Sequence, residues 1–191
     1  NKAKRSFQIS NKMYQQLSLK ENHAGIIAAI KLPIDEDIYN KEFLIVLDHL
    51  EIPGNIGTIY RTLDSVKADG VILVDSISKV NNPKITSSSR GCNLIIPSAQ
   101  ESYNDALNKL LKNNYTIFLG EPILGLNYQE YDYSGKIAIV VGNERFGINP
   151  DWYNHNHKKV YIPMEGNQNS LNVGVAASIL VYEAYMKRKN K

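Results

Sequence analysis

The chain has 191 residues, of which 43% are apolar, 9% aromatic and 21% charged, with a formal net charge of +3. That length suits one α/β domain of the usual size, about 100–150 residues, with or without an arm, and the composition excludes disordered and fibrous classes. Cys92 is the single cysteine, which excludes an intramolecular disulfide and a cysteine zinc cage; a soluble protein of a reducing compartment, the cytoplasm, is expected.

Residues 1–20 carry five basic groups and no acid, and residues 187–191 carry four more. Between these ends 13 basic groups stand against 19 acidic ones. Basic ends on an acidic body predict a polyanion contacted at the edges, although frayed, solvated ends have the same composition. No signal peptide is in view from Asn1, and apolar runs such as Ile137 to Val141 fall far short of the roughly 20 residues that span a bilayer. No membrane partner is expected.

In chain order, residues 1–24 read as an arm or as the tail of something upstream. Ile26 to Ile30 reads as a strand, and Pro33 to Asp37 as a linker or turn. Phe43 to Leu47, Val71 to Val74, Tyr115 to Leu119, Ile137 to Val141 and Val160 to Ile162 follow as further strands. Unbroken Val/Ile/Leu runs mark strands buried on both faces, which favours a parallel sheet. Helices are predicted over Asn55 to Lys67, with Asn55 available as the cap, over Tyr103 to Lys112, and from about Ser170 to Lys187. The basic last turn suits the helix dipole. This order is that of a single α/β domain.

Glycines and polar groups cluster at three strand ends, where open parallel sheets bind ligands. The first cluster runs from Glu51 to Arg61 and opens a helix; glycine there permits close approach and free N–H groups can hold an anion. An ordinary capped helix with a solvated arginine fits the same residues. The second, Gly142 to Gly147, sets Glu144 and Arg145 between glycines, as a simple tight turn also does. The third, Ile162 to Val173, is rich in amides that can cap a helix. Asn172 reads as lying inside the first helical turn, where its amide serves a ligand better than the helix.

Of five arginines, the three in the body (Arg61, Arg90 and Arg145) all lie beside such turns, while 17 lysines cover the surface at large. Guanidinium suits bidentate phosphate contacts, so these three are candidates for nucleic-acid or nucleotide binding. P-loop, dinucleotide and nucleophile-elbow motifs are missing. His155 and His157 have no third ligand in reach of the pattern, so no metal is expected, and Cys92 reads as a small core residue.

Taken in order, the three clusters resemble the signature motifs of the SpoU (TrmH) family of SPOUT RNA 2′-O-ribose methyltransferases. Asn55, Gly57 and Arg61 match its N-x-G-x-x-x-R; Gly142, Glu144 and Gly147 match its G-x-E-x-x-G. Ile162-Pro163-Met164 with Ser170-Leu171-Asn172-Val173 and Ala176 match its I-P-M and S-L-N-V-x-x-A. The resemblance spans about residues 40–187. It implies an α/β fold, a mostly parallel sheet flanked by helices with a C-terminal deep trefoil knot, a rare exception to unknotted topology.

The implied activity is methyl transfer from S-adenosylmethionine to a ribose 2′-hydroxyl of RNA, without a metal. The resemblance assigns cofactor contacts to Leu119, Gly120, Gly142, Ile162, Met164 and Leu171. It assigns catalysis to Arg61, with Asn55 and Glu144 orienting it and Ser170 and Asn172 lining the ribose and methyl site; Arg90 and Arg145 would contact RNA. A guanidinium with a pKa above about 12 is a poor base, so Arg61 is expected to position and activate the hydroxyl.

It also implies a homodimer, with the knot and the last helix at the interface, where the small residues Gly174, Ala176, Ala177 and Ser178 would suit close packing. Val71 to Ser76 and Ser88-Ser89-Arg90-Gly91 are similar to the ribosomal RNA branch of the thiostrepton-resistance type. Residues 9–30 are similar to the linker from that branch's N-terminal RNA-binding domain. Residues 1–40 are thus expected as arm and tail of such a domain, and 41–191 as the catalytic domain. A transfer RNA methyltransferase, a non-catalytic RNA-binding module of the same fold, and a different α/β enzyme acting on a small nucleotide or metabolite remain the alternatives.

Overall fold

The computed structural model describes residues 4–18, 25–30 and 38–190, and the chain divides into two units, 1–31 and 32–191. In the first unit Ser10 caps a short helix, α1 (Asn11–Leu17), its hydroxyl accepting from the Met13 N–H at 3.3 Å. Ile26 to Ile30 forms no strand: Ile26 is 82% exposed, and no described segment of the unit offers a ladder. An apolar run becomes a strand only where its backbone groups find partners. The expected turn at Pro33 to Asp37 lies outside the described residues.

The second unit follows the predicted alternation. Its elements are β1 (Phe43–Asp48), α2 (Pro53–Val66), β2 (Gly70–Val74), α3 (Pro83–Ser88), β3 (Ser98–Glu101) and α4 (Tyr103–Lys112). They continue with β4 (Thr116–Glu121), β5 (Leu126–Asn127), β6 (Ile137–Val141), β7 (Lys158–Tyr161) and α5 (Val173–Lys189). The seven strands pair in parallel throughout, in the order β3-β2-β1-β6-β4-β7-β5. Every residue of β1, β2 and β6 is buried, as their unbroken apolar runs require.

Alternate side chains divide between two cores. Phe43, Ile45 and Leu47 face one that α2 and α5 complete with Ile56, Ile59, Leu63 and Leu180. Leu44 and Val46 face the other, completed by Ala106, Leu107 and Leu110 of α4 and by Trp152. Full burial of such an aliphatic side chain is worth about 1.5–3 kcal/mol, so these two layers fix which face each strand residue turns to.

Two helix starts differ from expectation. α2 begins at Pro53, where a fixed φ and a missing N–H cost nothing in the first turn, and Ile52 precedes it without a side-chain cap. Asn55 is therefore inside the helix. α5 begins at Val173, and Asn172 is its cap: Oδ1 accepts from the N–H groups of Gly174 and Val175 at 2.9 and 3.3 Å. The small-residue face of α5 packs within its own chain, against α2, where a Cβ on Gly174 would sit 3.3 Å from Thr58 Cγ2 and where Ser178 Oγ lies 2.7 Å from Thr62 Oγ1.

The basic C-terminus is also partly committed to the fold. Arg188 donates to the carbonyls of Tyr133 (2.8 Å) and Gly135 (2.6 Å) and pairs with Glu42 at 2.8 Å. Lys187 donates to the Tyr131 carbonyl at 3.0 Å. These two cations hold the loop before β6 and are not spare charge for a polyanion.

Buried tyrosines make the fold sensitive to alkali. Tyr115 donates to the carbonyls of Tyr39 and Lys41, and burial beside Asp69 and Glu42 pushes its pKa up to about 12. Burial pushes Tyr60 and Tyr133 up as well. A phenol with a raised folded pKa favours the neutral form, so its contribution is whole below the unfolded value near 10 and is lost as pH rises through about 12. Circular dichroism and tyrosinate absorbance are expected to change together across that window. Dichroism still intact after all twelve tyrosines have ionised would contradict the assignment.

Candidate functional site

β1 and β6 are neighbours whose chains leave in opposite directions, one towards β2 and the other towards β7. The carboxyl ends of such a pair bound the crevice where parallel sheets place ligands. Here the two loops are sewn together. The buried Asn143 donates from Nδ2 to the His49 carbonyl at 2.8 Å and accepts at Oδ1 from the N–H groups of Arg145 (2.8 Å) and Phe146 (3.2 Å). The fully buried Asp48 carboxylate accepts from the Asn149 N–H at 2.7 Å and lies 2.8 Å from His49 Nδ1.

The same turn explains the second motif's glycines. Asn143 and Gly147 exchange two backbone hydrogen bonds of 2.9 and 3.0 Å. A Cβ on Gly142 would overlap the Gly147 carbonyl carbon and the Ile148 nitrogen, while Gly147 has φ +73°. In the first motif, Gly57 lets α2 approach α3: a Cβ there would overlap Ser88 Oγ and sit 2.7 Å from the Ser89 nitrogen.

Three predicted site residues meet in one relay. Glu144 Oε1 accepts from Asn55 Nδ2 at 2.8 Å, and Asn55 Oδ1 accepts from Asn172 Nδ2 at 3.1 Å. Asn172 Oδ1 is occupied by the first N–H groups of α5. Sequence reading misassigned both amides, treating Asn55 as a cap and Asn172 as a residue beyond one. Their positions are the reverse, because partners 89 and 117 residues away decide where each amide points. Ser170 and Leu171 lie exposed on the loop before the relay and do not join it.

Arg61 faces elsewhere. Six residues beyond Asn55, it lines an open cleft of about 500 Å³ together with Arg90, Thr58, Thr62, Ser89 and Tyr182. Neither guanidinium has an ion-pair or hydrogen-bond partner among the described residues. Arg90 is presented from a left-handed backbone, φ 54°, which a non-glycine residue adopts at a cost. The buried Ser89–Asn93 bond of 2.8 Å and Asn93 Nδ2 donating to the Val80 carbonyl at 2.8 Å hold that turn. Cys92 borders the cleft, and burial and Asp64 push its thiol up, the opposite of what activates a cysteine nucleophile.

The predicted cofactor residues sit at the carboxyl ends of β4 (Leu119, Gly120), β6 (Gly142) and β7 (Ile162, Met164), with Leu171 on the loop before α5. Met164 lines a second cavity, about 230 Å³, with Pro122, Ile123, Tyr161, Gln168 and Asn169. Gly120 pairs in register with Val160, and Ile162 is half-buried against the core. The Leu119 side chain is fully buried in the core on the α4 side and is committed to packing. Tyr161 was missed in the sequence, where an isolated tyrosine carries no periodic signal, while Gln168 and Asn169 stood out there only as amides of the third cluster. Arg145 and Phe146 project from the turn after β6, both exposed.

The relay and the cap can be separated by substitution. Asn172→Ala removes the cap and is expected to cost about 1 kcal/mol in urea unfolding. Asn172→Asp keeps an acceptor for the helix N–H groups and should regain that stability, while turning a repelling oxygen towards Asn55. Equal losses in both variants would show that α5 does not depend on this cap.

Residues 42–182 match the model of the SpoU rRNA Methylase family. Among named relatives, the chain is 29% identical over 92% of its length to the Bacillus subtilis 23S rRNA (guanosine(2553)-2′-O)-methyltransferase RlmP, covering 71% of that protein. It is 30% identical over 87% of its length to the 23S rRNA (guanosine-2′-O-)-methyltransferase RlmB of Acinetobacter baylyi, covering 72%. Among solved structures, the SpoU methyltransferase AviRb from Streptomyces viridochromogenes in complex with AdoMet superposes with a TM-score of 0.76 at 26% identity, over 85% of this chain and 67% of that one. An AdoMet-bound rRNA methyltransferase from Sinorhizobium meliloti gives 0.71 at 26% identity, over 81% of this chain but only 57% of that one. With a parallel sheet, the three-motif relay and a family match over most of its length, the chain belongs to the SpoU rRNA methylase family.

Proposed function

We propose that the chain methylates a ribose 2′-hydroxyl of RNA, ribosomal RNA first, using S-adenosylmethionine. The observation that carries this reading is the Glu144–Asn55–Asn172 relay, which ties all three family motifs into one crevice. The relatives named above as 23S rRNA methyltransferases favour ribosomal over transfer RNA. The cytoplasm is the compartment such a substrate implies, and no helix among the described residues is long and apolar enough to cross a membrane. Residues 41–191 would be the catalytic domain, with 1–40 as a basic arm.

The cavity at Met164 suits the cofactor chemically. Ile123, Pro122, Met164 and the Tyr161 ring offer apolar contact for an adenosine, and Gln168 and Asn169 offer amides. Gly120, Gly142, Ile162 and Leu171, with the backbone of Leu119, would complete its holding. When bound, S-adenosylmethionine supplies a methyl group already activated on a sulfonium, so no metal is needed. A 2′-hydroxyl is a weak nucleophile at neutral pH. Arg61 would orient it and polarise its O–H by fixing the adjoining phosphate, with Arg90 holding a second phosphate and Arg145 a third point on the strand. Asn55 and Glu144 hold the start of α2 and hence Arg61. Ser170, exposed beside Asn172, would meet the ribose.

We take the acting form to be a homodimer. The Arg61 cleft and the Met164 cavity share no lining residue, so a second copy facing the first would bring one copy's arginine to the other's donor. α5 exposes Val175, Tyr182 and Met186, each 47% accessible, for such a contact. A deep trefoil knot in the stretch around β7 and α5 belongs to the same reading; the return of α5 onto α2 and β4 is in keeping with it.

Calorimetric titration with S-adenosylmethionine is expected to give saturable binding; none at excess cofactor would favour the non-catalytic alternative. Arg61→Ala should abolish transfer while leaving cofactor affinity nearly unchanged, and loss of both together would contradict its role. RNA affinity should fall steeply with salt, with a log–log slope of about −0.7 to −0.9 per phosphate neutralised. A flat response would argue against a phosphate track of arginines.

A further inference from the structure

Phe146 is 82% exposed at the tip of a turn that the protein has gone to some length to immobilise. Asn143 grips its N–H and that of Arg145, the two-way Asn143–Gly147 bridge closes the turn, and Asn143 Nδ2 anchors the whole to the loop after β1. Large apolar side chains on mobile tips are commonplace. A ring held out by a turn fixed at three points has lost its backbone freedom before anything binds, which lowers the entropic cost of a contact. Arg145 precedes it in the chain, its guanidinium without a partner among the described residues, and Glu144, one residue further back, is engaged with Asn55.

We propose that Phe146 is a stacking platform for an unpaired RNA base next to the methylated nucleotide, with Arg145 clamping the phosphate beside it. An exposed ring beside an unpaired guanidinium fits a nucleobase, which offers a π-face and an adjoining anion, better than it fits a protein surface, which would ask for a run of apolar neighbours. Glu144 and Asn55 share this turn's crevice, so a base stacked on Phe146 would fix the register of the strand relative to the ribose site. The ring carries no reacting atom; it is a positioning residue. This inference rests on the RNA reading above and goes beyond it in naming an unpaired base and its seat.

The test uses the full 191-residue chain, with deproteinised ribosomal RNA for turnover and a short mixed-sequence single-stranded RNA for binding. Phe146→Ala should weaken RNA binding about tenfold, the usual scale for one lost base–aromatic stack, raising KM with cofactor affinity and dimer mass unchanged. Phe146→Trp should bind as the native protein does, and its emission should be quenched by the RNA over a constant background from the buried Trp152. The same RNA made abasic should bind native protein and Phe146→Ala equally. Native-like RNA affinity of Phe146→Ala overturns the platform alone, and so does a fall in its oligomeric mass, which would make the ring a subunit contact. A native chain that binds neither S-adenosylmethionine nor RNA overturns the parent reading and the platform with it.

Discussion

A carboxylate has only acceptors to offer, whereas a side-chain amide has an acceptor at one end and donors at the other. The chain from Glu144 through Asn55 and Asn172 to the N-terminus of α5 can therefore be satisfied in a single orientation. Each link fixes the next: the carboxylate sets Asn55, Asn55 sets Asn172, and Asn172 ends by meeting N–H groups that would otherwise lack partners. Three segments far apart in sequence are thereby held at one crevice. Turning any amide around would set donor against donor or oxygen against oxygen.

The relay works only because the sheet delivers its members to the same edge. Parallel pairing from β1 to β6 sends both chains out at one end, and the opposite directions in which they depart leave room between them. Asn143 and Asp48 then sew the two loops together beneath the relay. Buried polar groups are costly unless paired, and both of these side chains are paired, which makes them builders of the crevice and leaves the exposed groups above free for a ligand.

The central strands were legible because each is buried on both faces and reads as an unbroken apolar run. The ones that escaped, Ser98–Glu101 and Leu126–Asn127, lie at the sheet's two edges, where β3 needs few apolar residues and β5 is too short to show a pattern. Ile26 to Ile30 failed in the opposite sense, with the apolar run present and no ladder beside it. α3 was missed because six residues give little room for a 3.6-residue period to repeat. The site was legible as motifs but not as contacts. Capping rules are local, and on local grounds Asn55 before an apolar stripe is a reasonable cap; a carboxylate 89 residues further on outcompetes that use, and Pro53 starts the helix without it.

Arginine use shows how the chain divides structural from ligand-binding charge. Arg188 is satisfied by two carbonyls and a carboxylate and so belongs to the fold. Arg61 and Arg90 converge on one cleft that holds a single carboxylate, Asp64, with no ion pair to either among the described residues. Two cations on one cleft, neither ion-paired to its single carboxylate, favour a bidentate oxyanion that enters it. The left-handed backbone at Arg90 is set by the end of α3, where the Gly91 N–H returns to the Thr86 carbonyl at 3.0 Å, and that turn carries the guanidinium to the cleft. An overall charge of +3 would not single out a polyanion as the ligand. What does is the contrast between an acidic body and a few arginines kept unpaired at its crevices, where a phosphodiester can reach them.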